Sequence, residues 1–324
     1  MTSSWQSADQ DFPVRVMLTE AEIARDFAAA IEQRYLDEKF FYWLPLSVQA
    51  WVDLGSAPAY RNADRALQVL TANAARLADL WPDARVLCGV GCGDGSKDEA
   101  LLRGFAHKGR RLRYVAADFS ESLLEMACRR ALAAGCGAEG VKFDVTSAAQ
   151  LASLARIAAG NGGAIFAVLG NTLGAFDPTG FPARLQKVMR PGDRTIFDGE
   201  VFAGEETLRG YDHPVNRRFA FSPLAGLGLE EGRDGKLVFE LSSARAGEGL
   251  HEVVKYFVPA RDLRLNVAGR ELGLKKGELL RMSGSVKYDE TAFFRLIEDG
   301  GFRVELRAKS EDGKFLLAGA RPEG

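Results

Sequence analysis

The sequence predicts an α/β fold, a doubly wound parallel sheet joined to a second α+β lobe, and three observations predict it. Between residues 85 and 197 short apolar runs alternate with helical patterns, as βαβ units do. A glycine-rich segment, Val86-Leu87-Cys88-Gly89-Val90-Gly91-Cys92-Gly93-Asp94-Gly95-Ser96-Lys97, joins the first of these runs to the helix after it. After about Glu200 the alternation stops, and β-branched and aromatic runs separated by turn residues take over, the pattern of antiparallel sheet. The expected division is a core of residues 60–200 and a second lobe of residues 1–59 plus 201–324.

Each element has its own reason. Thr19 to Asp37 reads as a helix opened by a Thr19/Glu22 capping box. The stretch Lys39 to Trp51, "KFFYWLPLSVQAW", holds five aromatics without a clean amphipathic period and reads as core packing or as a lid over a ligand. A helix follows Asn62, with Leu67, Leu70, Ala74 and Leu77 on one face. The core strands are expected at Arg85–Val90, Leu112–Ala117, Val141–Phe143, Ala164–Leu169 and Arg194–Phe197. Between them come helices at Ser96–Ala106, with a Ser96/Glu99 capping box, and at Ser120–Ala134, capped by Ser120 and ended by Gly135. Two more follow at Ser147–Ala158 and Phe181–Met189, the latter stopped by Pro191-Gly192. Further on, "KLVFELSSA", "HEVVKYFVP" and "FRVELRAKS" read as strands of the second lobe, with one helix at Thr291–Asp299.

Composition narrows the function classes. The chain has 324 residues, 47% hydrophobic and 27% charged, with a net charge of −2. That balance is globular and advertises neither a nucleic acid nor an anionic membrane as partner. No run reaches the roughly 18 apolar residues of a spanning helix, and the first thirty residues lack an apolar signal core, so a cytoplasmic protein is expected. The four cysteines form no C-x-x-C pair and the three histidines are isolated, so no metal site is expected and the thiols read as small buried hydrophobes. No G-x-S-x-G elbow supports a serine hydrolase. A small-molecule substrate is the expected partner, and the oligomeric state is open.

The glycine loop lies where a doubly wound sheet binds nucleotides, at the carboxyl ends of its strands. Gly91, Gly93 and Gly95 alternate, which is neither the G-x-G-x-x-G spacing nor a Walker loop, so a pyrophosphate is not the obvious guest. Asp118 ends the next strand in "VAADFS", placed to accept hydrogen bonds from two ribose hydroxyls. Asp144, in "FDV", ends the third strand and can meet an adenine amino group. Lys97 opens a helix, where its charge opposes the dipole unless an anionic ligand group compensates. Ribose, adenine and a carboxylate without phosphates describe S-adenosylmethionine (SAM).

"GCGDGSKDEALL", "DFSESLL", "KFDV" and "VLGNTLGAFDP" together resemble the SAM-binding core of the histidine-specific methyltransferase family. That family includes the ergothioneine-pathway histidine Nα-methyltransferase and fungal indole-alkaloid N-methyltransferases. The resemblance covers roughly Leu44 to the C-terminus, is strongest over Val86 to Gly174, and extends to "GELLRMSGSVKYDETAFFRLIEDGGF". It implies a Rossmann-like class I SAM-dependent methyltransferase core, a second lobe built from both chain ends, and a role in secondary metabolism. It also implies that Gly91, Gly93 and Gly95 line the SAM loop and that Lys97 meets the methionyl carboxylate. Asp118, with Phe119 and Ser120 after it, would hold the ribose. Asp144 and Val145 would frame the adenine, and Gly170-Asn171-Thr172 would close the methionine side. On the substrate side it implies Tyr211, and Tyr42 from the aromatic stretch, Ser283 and Ser285 are the further candidates.

The departures concern the acceptor. Where the histidine enzymes have an asparagine for the substrate amine, this chain has Ala175, and where a glutamate and a serine grip the imidazole it has Ser283 and Ser285. Those two serines alternate on a strand-like segment, so both side chains are expected to face the same way. Two hydroxyls hold an imidazolium less well than a carboxylate does, so histidine is expected to be a poor substrate. The leading expectation is N-methylation of a small amino acid or amino-acid-derived metabolite. The alternatives are a cyclase that converts SAM itself into azetidine-2-carboxylate and methylthioadenosine, and a nucleotide-binding protein without chemistry. Aromatic faces at Phe40 to Trp43 suit a sulfonium in either enzyme.

Overall fold

A computed structural model of the chain describes residues 12–242 and 248–323. The first eleven residues assigned to the second lobe, and Ser243 and Ala244 of "KLVFELSSA", lie outside the described residues. The described residues form two compact units, one of residues 12–17, 62–201 and 288–323, the other of residues 18–61, 202–242 and 248–287.

The first unit is an eight-stranded sheet with helices packed on it. In chain order its elements are β1 (Val14–Val16), α3 (Asn62–Leu80), β3 (Ala84–Val90), α4 (Ser96–His107), β4 (Arg113–Asp118), α5 (Glu121–Ala133) and β5 (Ala138–Lys142). They continue with α6 (Ala148–Ala158), β6 (Gly163–Val168), α7 (Thr172–Ala175), α8 (Phe181–Gln186) and β7 (Arg194–Glu200). After the second unit come α11 (Glu290–Asp299), β13 (Phe302–Lys309) and β14 (Phe315–Pro322). The strand order is β1-β5-β4-β3-β6-β7-β14-β13. All pairs from β1 to β7 are parallel, and β14 runs antiparallel to both β7 and β13.

The central strands are apolar because both faces are covered. Val90, Leu87 and Cys88 of β3, Ile165 and Val168 of β6, and Ile196 and Phe197 of β7 are fully buried. Helix α3 buries Ala66, Val69, Leu70, Ala74, Leu77 and Ala78. Leu67, expected on that face, sits at its edge and is 40% exposed. Every helix and strand expected between residues 85 and 197 is present, with ends moved by a few residues.

Two segments assigned to the second lobe belong here instead. β1 extends the sheet edge by pairing parallel to β5, Val14 opposite Gly140. The C-terminal hairpin completes the other side, with Leu317 of β14 opposite Asp198 of β7. The physical reason is the run Phe315-Leu316-Leu317-Ala318, all buried: a strand apolar on both faces needs neighbours and cover that only a central sheet supplies.

The second unit comprises α1 (Glu20–Glu32), β2 (Tyr35–Leu36), α2 (Pro45–Gly55), α9 (Glu205–Tyr211), α10 (Pro214–Ala225), β8 (Gly235–Ser242), β9 (Leu250–Pro259), β10 (Leu263–Val267), β11 (Arg270–Leu274) and β12 (Leu280–Tyr288). Its main sheet has the order β2-β12-β9-β8, and β10 and β11 form a separate hairpin. The Thr19/Glu22 capping box is formed, with the Glu22 carboxylate accepting the Thr19 N–H at 2.8 Å. The aromatic stretch folds as a 3-10 turn, Glu38–Tyr42, followed by α2. Phe40 and Phe41 are core residues there, Phe40 against Phe27 at 5.1 Å and Phe41 against Phe219 at 5.9 Å between ring centroids. A buried ion pair, Lys255 to Glu38 at 2.8 Å, ties the turn to β9. Among the described residues no helix is long and apolar enough to cross a membrane.

Candidate active site

The strand order reverses at β3, with β4 and β5 on one side and β6 and β7 on the other. Loops leaving the carboxyl ends of β3 and β6 therefore diverge from adjacent strands, which opens a crevice between them. The glycine loop leaves β3 and Gly170-Asn171 leaves β6, so the topology sets the two segments side by side. A Cβ added to Gly91 would lie 3.2 Å from Thr172 Cγ2, and one added to Gly170 would lie 3.4 Å from Lys97 Nζ.

The four glycines of the loop serve different ends. Gly89 leaves room for a buried carboxylate, since a Cβ there would lie 2.4 Å from Asp98 Oδ2. Gly95 is left-handed at φ 76° and packs on α5, where a Cβ would fall 2.6 Å from Ala127 Cα. The N–H groups of Gly91 and Cys92 donate to the Ala117 carbonyl at 2.9 and 3.1 Å, and the N–H of Gly93 donates to Asp118 Oδ2 at 2.9 Å. The loop is thus tied to the end of β4.

Asp118 is buried and also accepts the Ser120 N–H on Oδ1 at 2.9 Å. Burial pushes its carboxyl up to about 6, against the N–H bonds from Ser120 and Gly93 that pull it down. Two capping expectations fail here. Ser120 is the N-cap residue of α5, but its buried hydroxyl makes no capping bond and has no hydrogen-bond partner, while its own N–H donates to Asp118. The Ser96/Glu99 box is replaced by Asp94, whose Oδ1 accepts the Ser96 N–H and hydroxyl at 3.1 and 2.7 Å, while Glu99 pairs with Arg103 and Arg130.

Asp144, on the loop after β5, lies beside that strand end, because the Phe143 N–H donates to the Asp118 carbonyl at 3.0 Å. Its Oδ1 accepts the Thr146 N–H and hydroxyl at 2.8 and 2.6 Å. Phe119 and Val145 are buried at the same rim. Gly170 and Asn171 both have positive φ, 79° and 60°. Two residues that sequence reasoning missed complete the arrangement. Asp98 accepts the Tyr114 hydroxyl at 2.6 Å beneath the loop, and burial pushes it up to about 7. Asp198 accepts the N–H groups of Gly170 and Asn171. The signal available for Asp198 was an acidic residue inside an apolar strand, "TIFDGE".

The expected substrate-side residues all fall in the second unit. Tyr42 packs against Trp51 and Phe219, with ring centroids 6.1 and 5.6 Å away. Tyr211 ends α9 and faces Phe239 at 6.0 Å. Lys287, buried on β12, donates to Ser285 Oγ at 3.0 Å and stands 5.4 Å from the Tyr211 ring centroid. Ser283 is buried but has φ 64°, so β12 does not alternate simply there, and the expected shared orientation of Ser283 and Ser285 does not follow from strand geometry. The four cysteines are free thiols, and burial pushes Cys88 and Cys92 upward, which keeps them protonated.

The family model of the histidine-specific, SAM-dependent methyltransferases matches residues 20–322. The chain belongs to this family. The fold is that of a Rossmann-like class I methyltransferase, the enzyme is a SAM-dependent transferase, and SAM is its co-substrate. No curated relative matches the chain. Among solved structures it is similar to a Burkholderia thailandensis 1,6-didemethyltoxoflavin-N1-methyltransferase with bound 1,6-didemethyltoxoflavin and S-adenosylhomocysteine, at 12% identity over 99% of this chain and 100% of that one, with a TM-score of 0.43. It is also similar to a Clostridium acetobutylicum SAM-dependent methyltransferase, at 11% identity over 80% and 92% of the two chains and a TM-score of 0.42. A third is a Streptoalloteichus sugar N-methyltransferase, at 14% identity over 82% and 91%, with a TM-score of 0.39.

The first unit of this methyltransferase fits SAM in its chemistry. A buried carboxylate with lone pairs left for hydroxyls, an orphaned buried Ser120 hydroxyl and a lysine beside a bare glycine backbone suit a ribose and an amino-acid end. When bound, SAM supplies an electrophilic methyl group on a sulfonium.

Proposed function

We propose that this methyltransferase transfers the SAM methyl group to the amine of a small amino acid or amino-acid-derived metabolite. SAM would lie along Gly91, Gly93, Gly95 and Lys97, with Asp118, Phe119 and Ser120 at the ribose, Asp144 and Val145 at the adenine, and Gly170 and Asn171 at the methionine side. The acceptor would meet Tyr42, Tyr211, Ser283 and Ser285. Methyl transfer needs amine and methyl in line, and proximity supplies most of the rate. An amine bound neutral needs no dedicated base.

The family description names histidine, and this reading departs from it on the acceptor. The observation that supports the departure is Lys287, an ammonium set against Ser285 and the Tyr211 ring. Such a charge opposes an imidazolium held beside Ser285 and Tyr211.

The test is incubation with SAM and a panel of amino acids, followed by mass spectrometry. S-adenosylhomocysteine and an N-methylated product should form only with an acceptor, and L-histidine should turn over poorly. Efficient trimethylation of histidine would overturn the acceptor reading, and methylthioadenosine formed without any acceptor would overturn methyl transfer. Tyr211→Phe should keep the affinity for S-adenosylhomocysteine and lose turnover by about tenfold, as expected for one hydrogen bond on the acceptor side. Equal turnover would place Tyr211 outside the site.

A further inference from the structure

Asp198 lies in β7, two residues before the strand ends, with no exposed surface. Its Oδ2 accepts the Gly170 N–H at 2.8 Å and its Oδ1 the Asn171 N–H at 2.7 Å. The two donors form the left-handed turn after β6, and one of them, Asn171, adopts φ 60° without being glycine. Such a backbone persists only where its surroundings hold it. Besides Asp198, the Glu200 N–H donates to Asn171 Oδ1 at 3.2 Å. So β7 grips this turn through both its backbone and its side chain.

A buried carboxylate is an expensive way to fill space in a sheet. On the neighbouring strands the positions beside it are apolar: Leu317 of β14 stands opposite Asp198, and Val168 of β6 opposite Phe197. From α4, Lys97 is the charged group that faces it, and its ammonium lies beside Gly170. Packing alone would be met by an apolar residue. What the carboxylate adds is two charge-assisted N–H bonds to one turn and an attraction for the lysine next to that turn.

We propose that Asp198 is a positioning residue for SAM binding: it holds the Gly170-Asn171 turn and Lys97 together as one preformed surface for the methionyl end of the co-substrate. Asp198 acts through those residues. The inference rests on the SAM placement proposed above. Burial pushes its carboxyl up to about 6, so the grip weakens as pH falls through that value, when one oxygen becomes a hydroxyl and only one N–H keeps a carboxylate-type acceptor.

Asp198→Asn reproduces the uncharged form at every pH. Calorimetric titration of the full-length protein with S-adenosylhomocysteine should show a Kd about tenfold higher than wild type at pH 7.5. The ratio of the two Kd values should shrink toward one by pH 5, because the wild type then carries an uncharged group as well. A residue that only packs the sheet gives a ratio that does not change with pH. A ratio of one at pH 7.5, or a constant ratio, overturns the proposal. Amide hydrogen exchange in the wild type needs no variant. After correction for intrinsic rates, protection at Gly170 and Asn171 should fall between pH 7.5 and 5.5 relative to the rest of β6 and β7, and unchanged protection overturns the proposal. Asp118→Ala is titrated alongside. If it also binds normally, the SAM placement fails; if it weakens binding while Asp198→Asn does not, only the role of Asp198 falls.

Discussion

Asp118→Ala is expected to raise the Kd for S-adenosylhomocysteine by about a hundredfold, the loss of a charged acceptor shared by two hydroxyls. The fold should survive, and the reason lies in the sign of the pKa shift. Burial raises the Asp118 carboxyl to about 6, above its ordinary 3.8, so between those values the folded protein holds more protons than the unfolded chain. Its contribution to stability therefore grows as pH falls through that window, and at neutral pH the charged group is a cost. Alanine removes that cost, which offsets the loss of the bonds from the N–H groups of Gly93 and Ser120. Calorimetry for the affinity and a thermal melt for the fold check both parts. An unchanged Kd in a folded variant would remove Asp118 from the ribose.

Gly95→Val is expected to cost about 3 kcal/mol of folding stability, from a left-handed backbone and an overpacked contact together. The backbone is at φ 76°, and the new Cβ would fall 2.6 Å from Ala127 Cα, part of a helix backbone that cannot step aside. Gly109 supplies the control. It has φ 72°, and a Cβ there would meet nothing within 4 Å. Gly109→Val should therefore lose only the backbone part, about 1–2 kcal/mol. Urea unfolding of both variants separates the two contributions. Equal losses would show that α5 does not press on the loop. Binding of S-adenosylhomocysteine should be lost in the Gly95 variant and kept in the Gly109 variant.

Local rules made much of this methyltransferase legible. Alternating apolar runs and helical periods announced the parallel sheet, because a strand buried on both faces and a helix buried on one follow from which atoms must leave water. The glycine loop and Asp118 were legible for a related reason. Ligands of such sheets gather at strand ends, so position in the alternation predicts a place in space.

Other features depended on which segments meet. The C-terminal hairpin reads locally like any antiparallel pair, and only the vacancy beside β7 decides that it closes the main sheet. Ser120 carries the residue type of a cap and stands at the N-cap of α5, yet its buried hydroxyl makes no capping bond. Ser283 and Ser285 look like alternating strand residues, but φ 64° at Ser283 breaks the alternation, and Lys287 adds a charge that spacing alone did not weigh.

The sequence by itself determined the class of fold, the position of the glycine loop and the acidic strand end that answers it, because these follow from periodicity and the fixed geometry of βαβ units. Only the tertiary structure decided which strands complete the sheet and which carboxylates lie within reach of which N–H groups. Hydrogen bonds act over about 3 Å, and contacts at that range between residues as distant in sequence as Asp198 and Gly170 exist only once the chain has folded.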